Sequence, residues 1–215
     1  MFVANRMAKN PVTVTPETTV EEAAQAMKQG HFRRLPVVDA KGKLVGFFSD
    51  RDIMRVTPSP ATTLSRYEER SLLAKLKVAD IMAKDVVSVN EDATIEEAAL
   101  IMYNNKIGGL PVVSSVGVVV GVITETDIFK TFVDVMGLAA GKTRLTLLVD
   151  NKVGVVHDIA GIFTELGLSL DSLVTCRQPY GKYEIVVRGD IPDVEALKER
   201  IEKKGYEVIH TARIG

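Results

Sequence analysis

Two α/β repeats related by a pseudo-two-fold, followed by an α+β module of βαββαβ order, are the fold this sequence predicts. Three observations predict it. The stretch from Val3 to Met54 realigns without a gap on Val78 to Phe129, at a constant offset of 75 and with 22 of 52 paired positions identical. The segments Thr19-Val20-Glu21-Glu22 and Thr94-Ile95-Glu96-Glu97 spell the same helix start twice. After Met136 the periodicity changes and a different unit begins. Two copies of one supersecondary unit bury their apolar faces against each other and leave paired clefts between them.

Each copy opens on a short extended segment, Val12 to Val14 or Val87 to Val89. A capping box then starts a helix whose apolar stripe is Val20, Ala23, Ala24 and Met27, mirrored by Ile95, Ala98, Ala99 and Met102. Leu35-Pro36-Val37-Val38 and Leu110-Pro111-Val112-Val113 are strands, and a proline, lacking a ladder donor, suits a strand start. Turns at Gly42 and Gly117 lead into strands Leu44 to Phe48 and Val118 to Ile123. Helices begin at Ser49-Asp50-Arg51-Asp52 and Thr124-Glu125-Thr126-Asp127. The resulting division is repeat 1 over 1–56, a linker over 57–76 that is partly helical near Leu72 to Leu76, and repeat 2 over 77–136. A hinge at 137–142 precedes the last module, 143–215. There, strands at Leu145 to Val149, Leu168 to Cys176, Tyr183 to Val187 and Tyr206 to Thr211 alternate with helices at Val155 to Leu166 and Pro192 to Lys203.

Composition excludes several function classes. A net charge of −1 with 27 basic and 28 acidic residues leaves no broad cationic surface for nucleic acid. No apolar run approaches the ~18 residues of a membrane span, and the start MFVANRMAKN has no leader pattern. The single Cys176 permits no internal disulfide, and His31, His157 and His210 are too dispersed for a helical metal pair. A cytoplasmic protein with no metal and no required cofactor is expected.

Ser49 with Asp52 and Thr124 with Asp127 are the residues best placed for chemistry. Each pair sits where a strand feeds a helix N-terminus, a place that suits phosphate, and a carboxylate can accept both hydroxyls of a ribose. The same spacing is a capping-box variant that needs no ligand, and both roles can coexist in one residue. Both pairs follow a Gly-apolar-apolar run, Gly46-Phe47-Phe48 and Gly121-Val122-Ile123, in one register. The copies diverge at His31-Phe32-Arg33-Arg34 against Lys106-Ile107-Gly108-Gly109. Arginine forks suit phosphate and glycines suit close approach, so two unequal clefts are expected.

With its Leu-Pro-Val-Val and Gly-x-x-Ser/Thr-x-x-Asp signatures, the duplicated unit resembles a tandem pair of CBS domains, the Bateman module. That resemblance implies adenosine-containing ligands such as AMP, ADP, ATP or S-adenosylmethionine, bound in clefts that each need both copies. It implies that Asp52 and Asp127 hold ribose while Ser49 and Thr124, with Arg51 and Thr126 beside them, contact phosphate. It also implies that the backbone around Val12 and Val87 reads the adenine edge, with Phe32 and Ile107 beside the base. Arg33, Arg34, Gly108 and Gly109 complete the expected nucleotide-binding set.

Residues Leu145-Thr146-Leu147-Leu148-Val149-Asp150-Asn151-Lys152-Val153-Gly154, with Leu166-Gly167-Leu168, resemble an ACT domain of ferredoxin-like fold. This implies an amino-acid site around Asn151, Val153, Gly154 and Val155, although the family commonly has proline where this chain has Val153. Asn151 also suits a plain turn or cap. A CBS pair followed by an ACT domain resembles the acetoin-utilization proteins of the AcuB type. The resemblance implies a regulatory homodimer rather than an enzyme. The rival readings are a dimerising scaffold without ligand and, third, an enzyme acting on acetoin or nucleotide. Gly137-Leu138-Ala139-Ala140-Gly141-Lys142-Thr143 is one residue short of a P-loop and follows a helix, so it is read as a helix stop.

Overall fold

The structure, a computed structural model, describes residues 1–57, 74–138 and 141–214. Most of the expected linker, including Pro58-Ser59-Pro60 and Leu72, and part of the expected hinge, Ala139 and Ala140, lie outside the described residues. The chain divides into two compact units, Met1–Ile128 and Phe129–Gly215, and the division falls inside a helix.

In the first unit β1 (Ala8–Lys9), α1 (Val20–Gly30), β2 (Arg34–Val38), β3 (Leu44–Ser49) and α2 (Asp50–Val56) form one copy. The other copy is α3 (Val78–Ile81), β4 (Val89–Asn90), α4 (Ile95–Asn105), β5 (Gly109–Val113), β6 (Val119–Thr124) and α5 (Glu125–Val135). Both capping boxes form: Thr19 Oγ1 accepts the Glu22 N–H and Glu22 accepts the Thr19 N–H, and Thr94 with Glu97 repeats this. The stripe is buried at Val20, Ala23, Met27, Ile95, Ala98 and Met102, while Ala24 and Ala99 are half-buried. Both helices end on a left-handed residue that is not glycine, His31 at φ 53° and Lys106 at φ 54°.

The opening segment of each copy packs into the other copy. Val3 is fully buried among Val89, Ile95, Ala98 and Met102, whereas Val78, its equivalent, is fully buried among Val14, Val20, Ala23 and Met27. The backbone repeats the exchange. Val3 N–H donates to Ala93 O at 2.8 Å and Val78 N–H to Thr18 O at 2.8 Å; Ile95 N–H reaches Met1 O and Val20 N–H reaches Leu76 O, both at 2.9 Å. Accordingly β1 pairs with β6, Ala8 opposite Val122, and Ala83 bridges Phe47 of β3. Gly46 and Gly121 accommodate this, since a Cβ on either would collide with Met82 or Met7 of the incoming segment. The glycine of the repeated signature thus serves packing. The two hairpins also touch at their turns, where Leu44 N–H donates to Gly117 O and Val119 N–H to Gly42 O.

Pro36 and Pro111 are not at strand starts, as the sequence suggested, but in third position of β2 and β5. The reason lies in what flanks that edge: a strand residue's N–H and C=O point the same way, and on the Pro36 side only the single residue Val14 bridges, taking Pro36 O and Val38 N–H. The Val14 bridge uses the Pro36 carbonyl and calls on no donor at Pro36.

In the second unit β7 (Lys142–Asp150), α6 (Val155–Glu165), β8 (Leu170–Arg177), β9 (Lys182–Gly189), α7 (Val194–Lys203) and β10 (Glu207–Ile214) follow the expected βαββαβ order. The antiparallel sheet is ordered β10-β7-β9-β8. Leu145, Leu147, Ile185 and Val187 on one sheet face meet Ile159, Ile162 and Phe163 of α6 and Leu197 and Ile201 of α7. The closing strand runs to Ile214, three residues beyond the expected end at Thr211, because its pairing with β7 continues to the first residue of that strand, Lys142. On the opposite face Arg188 is buried, with Nε and Nη1 lacking a partner, beside the equally unpartnered Thr146 hydroxyl.

Candidate functional site

The strand-to-helix junctions define the site. Ser49, in extended conformation before α2, gives its N–H to Asp52 Oδ2 at 2.9 Å and its hydroxyl to the same oxygen at 2.6 Å. The other oxygen, Oδ1, faces Arg55 Nη1 at 3.5 Å, and the Asp52 side chain is 14% exposed. Thr124 and Asp127 repeat the arrangement, with 2.8 Å from the N–H and 2.7 Å from the hydroxyl. Both carboxylates therefore cap a helix start. At Asp52 the cap uses one oxygen and leaves the second facing the adjacent cleft and Arg55.

That cleft, of about 290 Å³, is walled by both repeats. From the first come Arg34, Ser49, Asp50, Arg51, Asp52 and Arg55; from the second come Val87, Lys106, Ile107, Gly108 and Gly109, with Asp85 and Val86. A second cleft of about 160 Å³ is its pseudo-symmetric counterpart, lined by Ala8, Pro11, Val12, Phe32, Arg33, Arg34, Val122 and Thr124. Every one of those eight residues has its equivalent, 75 positions on or back, in the larger cleft. The larger cleft thus brings together Ser49, Arg51 and Asp52 with Val87, Ile107, Gly108 and Gly109. The smaller brings together Val12, Phe32, Arg33 and Thr124, while Thr126 and Asp127 do not line it. Sequence reading missed Arg55 and Lys106, which bring cations to the larger cleft, and Asp50 and Asp85, which partly offset them. The left-handed backbone at Lys106 left no signal, because glycine or asparagine usually marks such a helix end.

Arg34 lines both clefts. Its side chain lies over the glycine pair of the other repeat, so a Cβ built on Gly108 would sit 2.7 Å from Arg34 Nη2 and one on Gly109 3.2 Å from Arg34 Cδ. Burial lowers the guanidinium below the ordinary arginine value, while Asp50 and Glu125, equivalent acids at the first turns of α2 and α5, pull it back up. The asymmetry of the two copies has a steric meaning here. The glycines leave room for one arginine across the divide.

In the C-terminal unit a cavity of about 330 Å³ lies where β7 passes into α6, lined by Val149, Asn151, Gly154, Val155, His157, Thr175 and Tyr183 among others. Gly154 holds φ 99° as the N-terminal flank of α6, a conformation that suits glycine. Val153 is fully exposed and outside the cavity wall. Asp158 is held below the usual carboxylate range chiefly by the Tyr206 hydroxyl, which donates to its Oδ2 at 2.7 Å, with His157 contributing next. That carboxylate joins α6 to the residue before β10. Among the described residues no group of three or more His, Cys, Asp or Glu could hold a metal ion, and no helix is long and apolar enough to cross a membrane.

Comparison with known proteins agrees with this fold. The CBS domain family model matches residues 3–59 and 78–134, and the ACT domain model matches residues 143–205. The CBS domain pair of protein MJ0100, solved with 5′-methylthioadenosine and S-adenosyl-L-methionine, is 29% identical with a TM-score of 0.51, over 61% of this chain and 95% of that one. A Vibrio cholerae protein named for acetoin utilization (AcuB) is 32% identical with a TM-score of 0.53, over 64% of this chain and 94% of that one. CBSX2 solved with AMP is 26% identical with a TM-score of 0.51, over 61% and 96%. The chain spans 94% of a CBS domain-containing protein of Dictyostelium discoideum, to which it is 31% identical, and 22% of the inosine-5'-monophosphate dehydrogenase of Methanocaldococcus jannaschii, to which it is 38% identical. What these proteins have in common with it is the paired repeat. The chain belongs to the CBS domain family, as a tandem pair followed by an ACT domain.

Proposed function

We propose that the chain is a non-catalytic sensor of adenosine-containing ligands, AMP, ADP or ATP foremost, bound in the two inter-repeat clefts. One observation carries the reading. In the larger cleft the Ser49–Asp52 pair of one repeat stands opposite the apolar Val87 and Ile107 and the bare Gly108–Gly109 backbone of the other, with Arg34, Arg51, Arg55 and Lys106 around it. Carboxylate for ribose hydroxyls, guanidinium for phosphate and an apolar slot for a purine are the groups a ribonucleotide needs. The complexes of MJ0100 and CBSX2 support the same ligand class. The clefts are unequal in volume and cation content, so their affinities differ.

Ligand binding then biases one arrangement of the repeats and transmits that bias through 137–142 to the ACT domain of a cytoplasmic homodimer, within acetoin or related carbon metabolism. A ligand transmits only through unequal affinity for two arrangements. The test is thermal unfolding of the full chain against AMP, ADP, ATP and S-adenosylmethionine. A ligand of the folded state at a hundred times its Kd stabilises by about 2.7 kcal/mol. A melting temperature unmoved by every member of the panel rejects the sensor and favours the ligand-free scaffold. The cavity at Asn151, Gly154 and Val155 favours a second, additional site for an amino acid, checked by the same assay with the twenty amino acids.

A further inference from the structure

We infer that Arg34 is a cation shared by the two clefts, so that a phosphorylated ligand engaging it in one cleft weakens binding of a second in the other; this rests on the nucleotide reading above. The pseudo-symmetry is broken where a duplicate charge would be expected. Position 34 is arginine in the first repeat and its equivalent, position 109, is glycine in the second. The single side chain crosses the divide, passes over Gly108 and Gly109, and contributes to the walls of both cavities. It is flanked by Asp50 and Glu125, related by the same offset of 75, so neither repeat holds it exclusively.

A guanidinium offers a rigid planar fork that aligns two parallel bonds with one phosphate. Two phosphates competing for one fork cannot both be served in that way, and they also repel each other at close range. The smaller cleft depends on Arg34 more heavily, since Arg33 is its one other cationic wall residue, whereas the larger cleft also has Arg51, Arg55 and Lys106. Filling the larger cleft with a phosphate therefore penalises the smaller one. Uncharged adenosine makes no claim on the fork and shows no such penalty.

Calorimetric titration of the full chain tests this with AMP and adenosine as probes. The wild type is expected to bind two AMP with stepwise constants that differ by about tenfold or more, and two adenosine with a much smaller separation. With the larger cleft disabled by Asp52→Ala, the smaller cleft is expected to take AMP about tenfold tighter than the second AMP binds wild type. Adding Arg34→Gln removes that gain. Gly108→Ala supplies a second route: the atoms nearest its methyl are the ends of the Arg34 and Glu125 side chains, which can move, so the fold is kept while the guanidinium is displaced. It is expected to narrow the AMP separation by about threefold or more. A second AMP constant that is the same whether the larger cleft is intact or disabled, or a separation unmoved by Gly108→Ala, overturns the shared cation and leaves nucleotide binding standing. No heat with AMP or adenosine overturns both readings.

Discussion

Replacing Asp52 and Asp127 by alanine separates the capping role that the structure shows from the ribose contact proposed above. As caps, each accepts the N–H and hydroxyl of the residue three before it, at 2.6 to 2.9 Å. Losing such a cap costs about 1 kcal/mol of stability per site. As a ribose ligand, the second oxygen of Asp52 would accept a sugar hydroxyl, and a hydrogen bond to a charged group contributes about 1.5–3 kcal/mol. That corresponds to a loss of about tenfold to a hundredfold in affinity for AMP. Stability and affinity are read separately, by urea unfolding without ligand and by calorimetry with it. The decisive comparison uses 2′-deoxy-AMP. Wild type should bind it about tenfold more weakly than AMP, and the double variant should bind the two alike, because the group that reads the hydroxyl is gone. A deoxy penalty that persists at full size in the double variant would show that the carboxylates are caps alone.

Three further outcomes follow from the fold. Val3→Ala and Val78→Ala each remove two methyl groups from fully buried positions in different cores, so each should cost about 2 kcal/mol and the pair about 3–5, as urea unfolding will measure; a joint loss below about 1 kcal/mol would contradict the exchange. Glu22 and Glu97 are held below the ordinary glutamate value of 4.5, first by the Thr19 and Thr94 N–H and then by their hydroxyls. Their contribution is therefore complete above pH 4.5 and lost as pH falls through the depressed values, so Glu22→Gln with Glu97→Gln should flatten the acid side of the melting-temperature profile. Arg188 is buried with its Nε and Nη1 unpartnered, and Arg188→Met should leave stability unchanged or raise it by about 1–3 kcal/mol; a marked loss would mean that the rest of the guanidinium is engaged.

The sequence carried the repeat, both capping boxes and the order of the C-terminal module, because those signals are local: a hydroxyl three residues before a glutamate caps its helix whatever lies beyond. It also held the two halves of each cleft, since the offset of 75 maps one wall onto the other. It did not reveal that Val3 and Val78 exchange cores. An internal alignment states which residues are equivalent, not which copy each one packs against. Nor did it reveal why Gly46 and Gly121 stand in the signature, as the methionines they admit come from 36 positions on and 114 positions back. Arg34 and Gly109 differ visibly in the sequence, but only three dimensions turn that difference into one side chain reaching across two cavities. The prolines of β2 and β5 misled for a related reason, because a missing donor matters only where a neighbour waits for it.

The clasp formed by Val3 and Val78 makes damage non-local. Trimming the first seven residues would leave the first repeat's own packing in place and withdraw a wedge from beneath α4, some ninety positions away along the chain. Neither half is a free-standing building block, and a single copy could complete itself only by trading its leading segment with an identical neighbour.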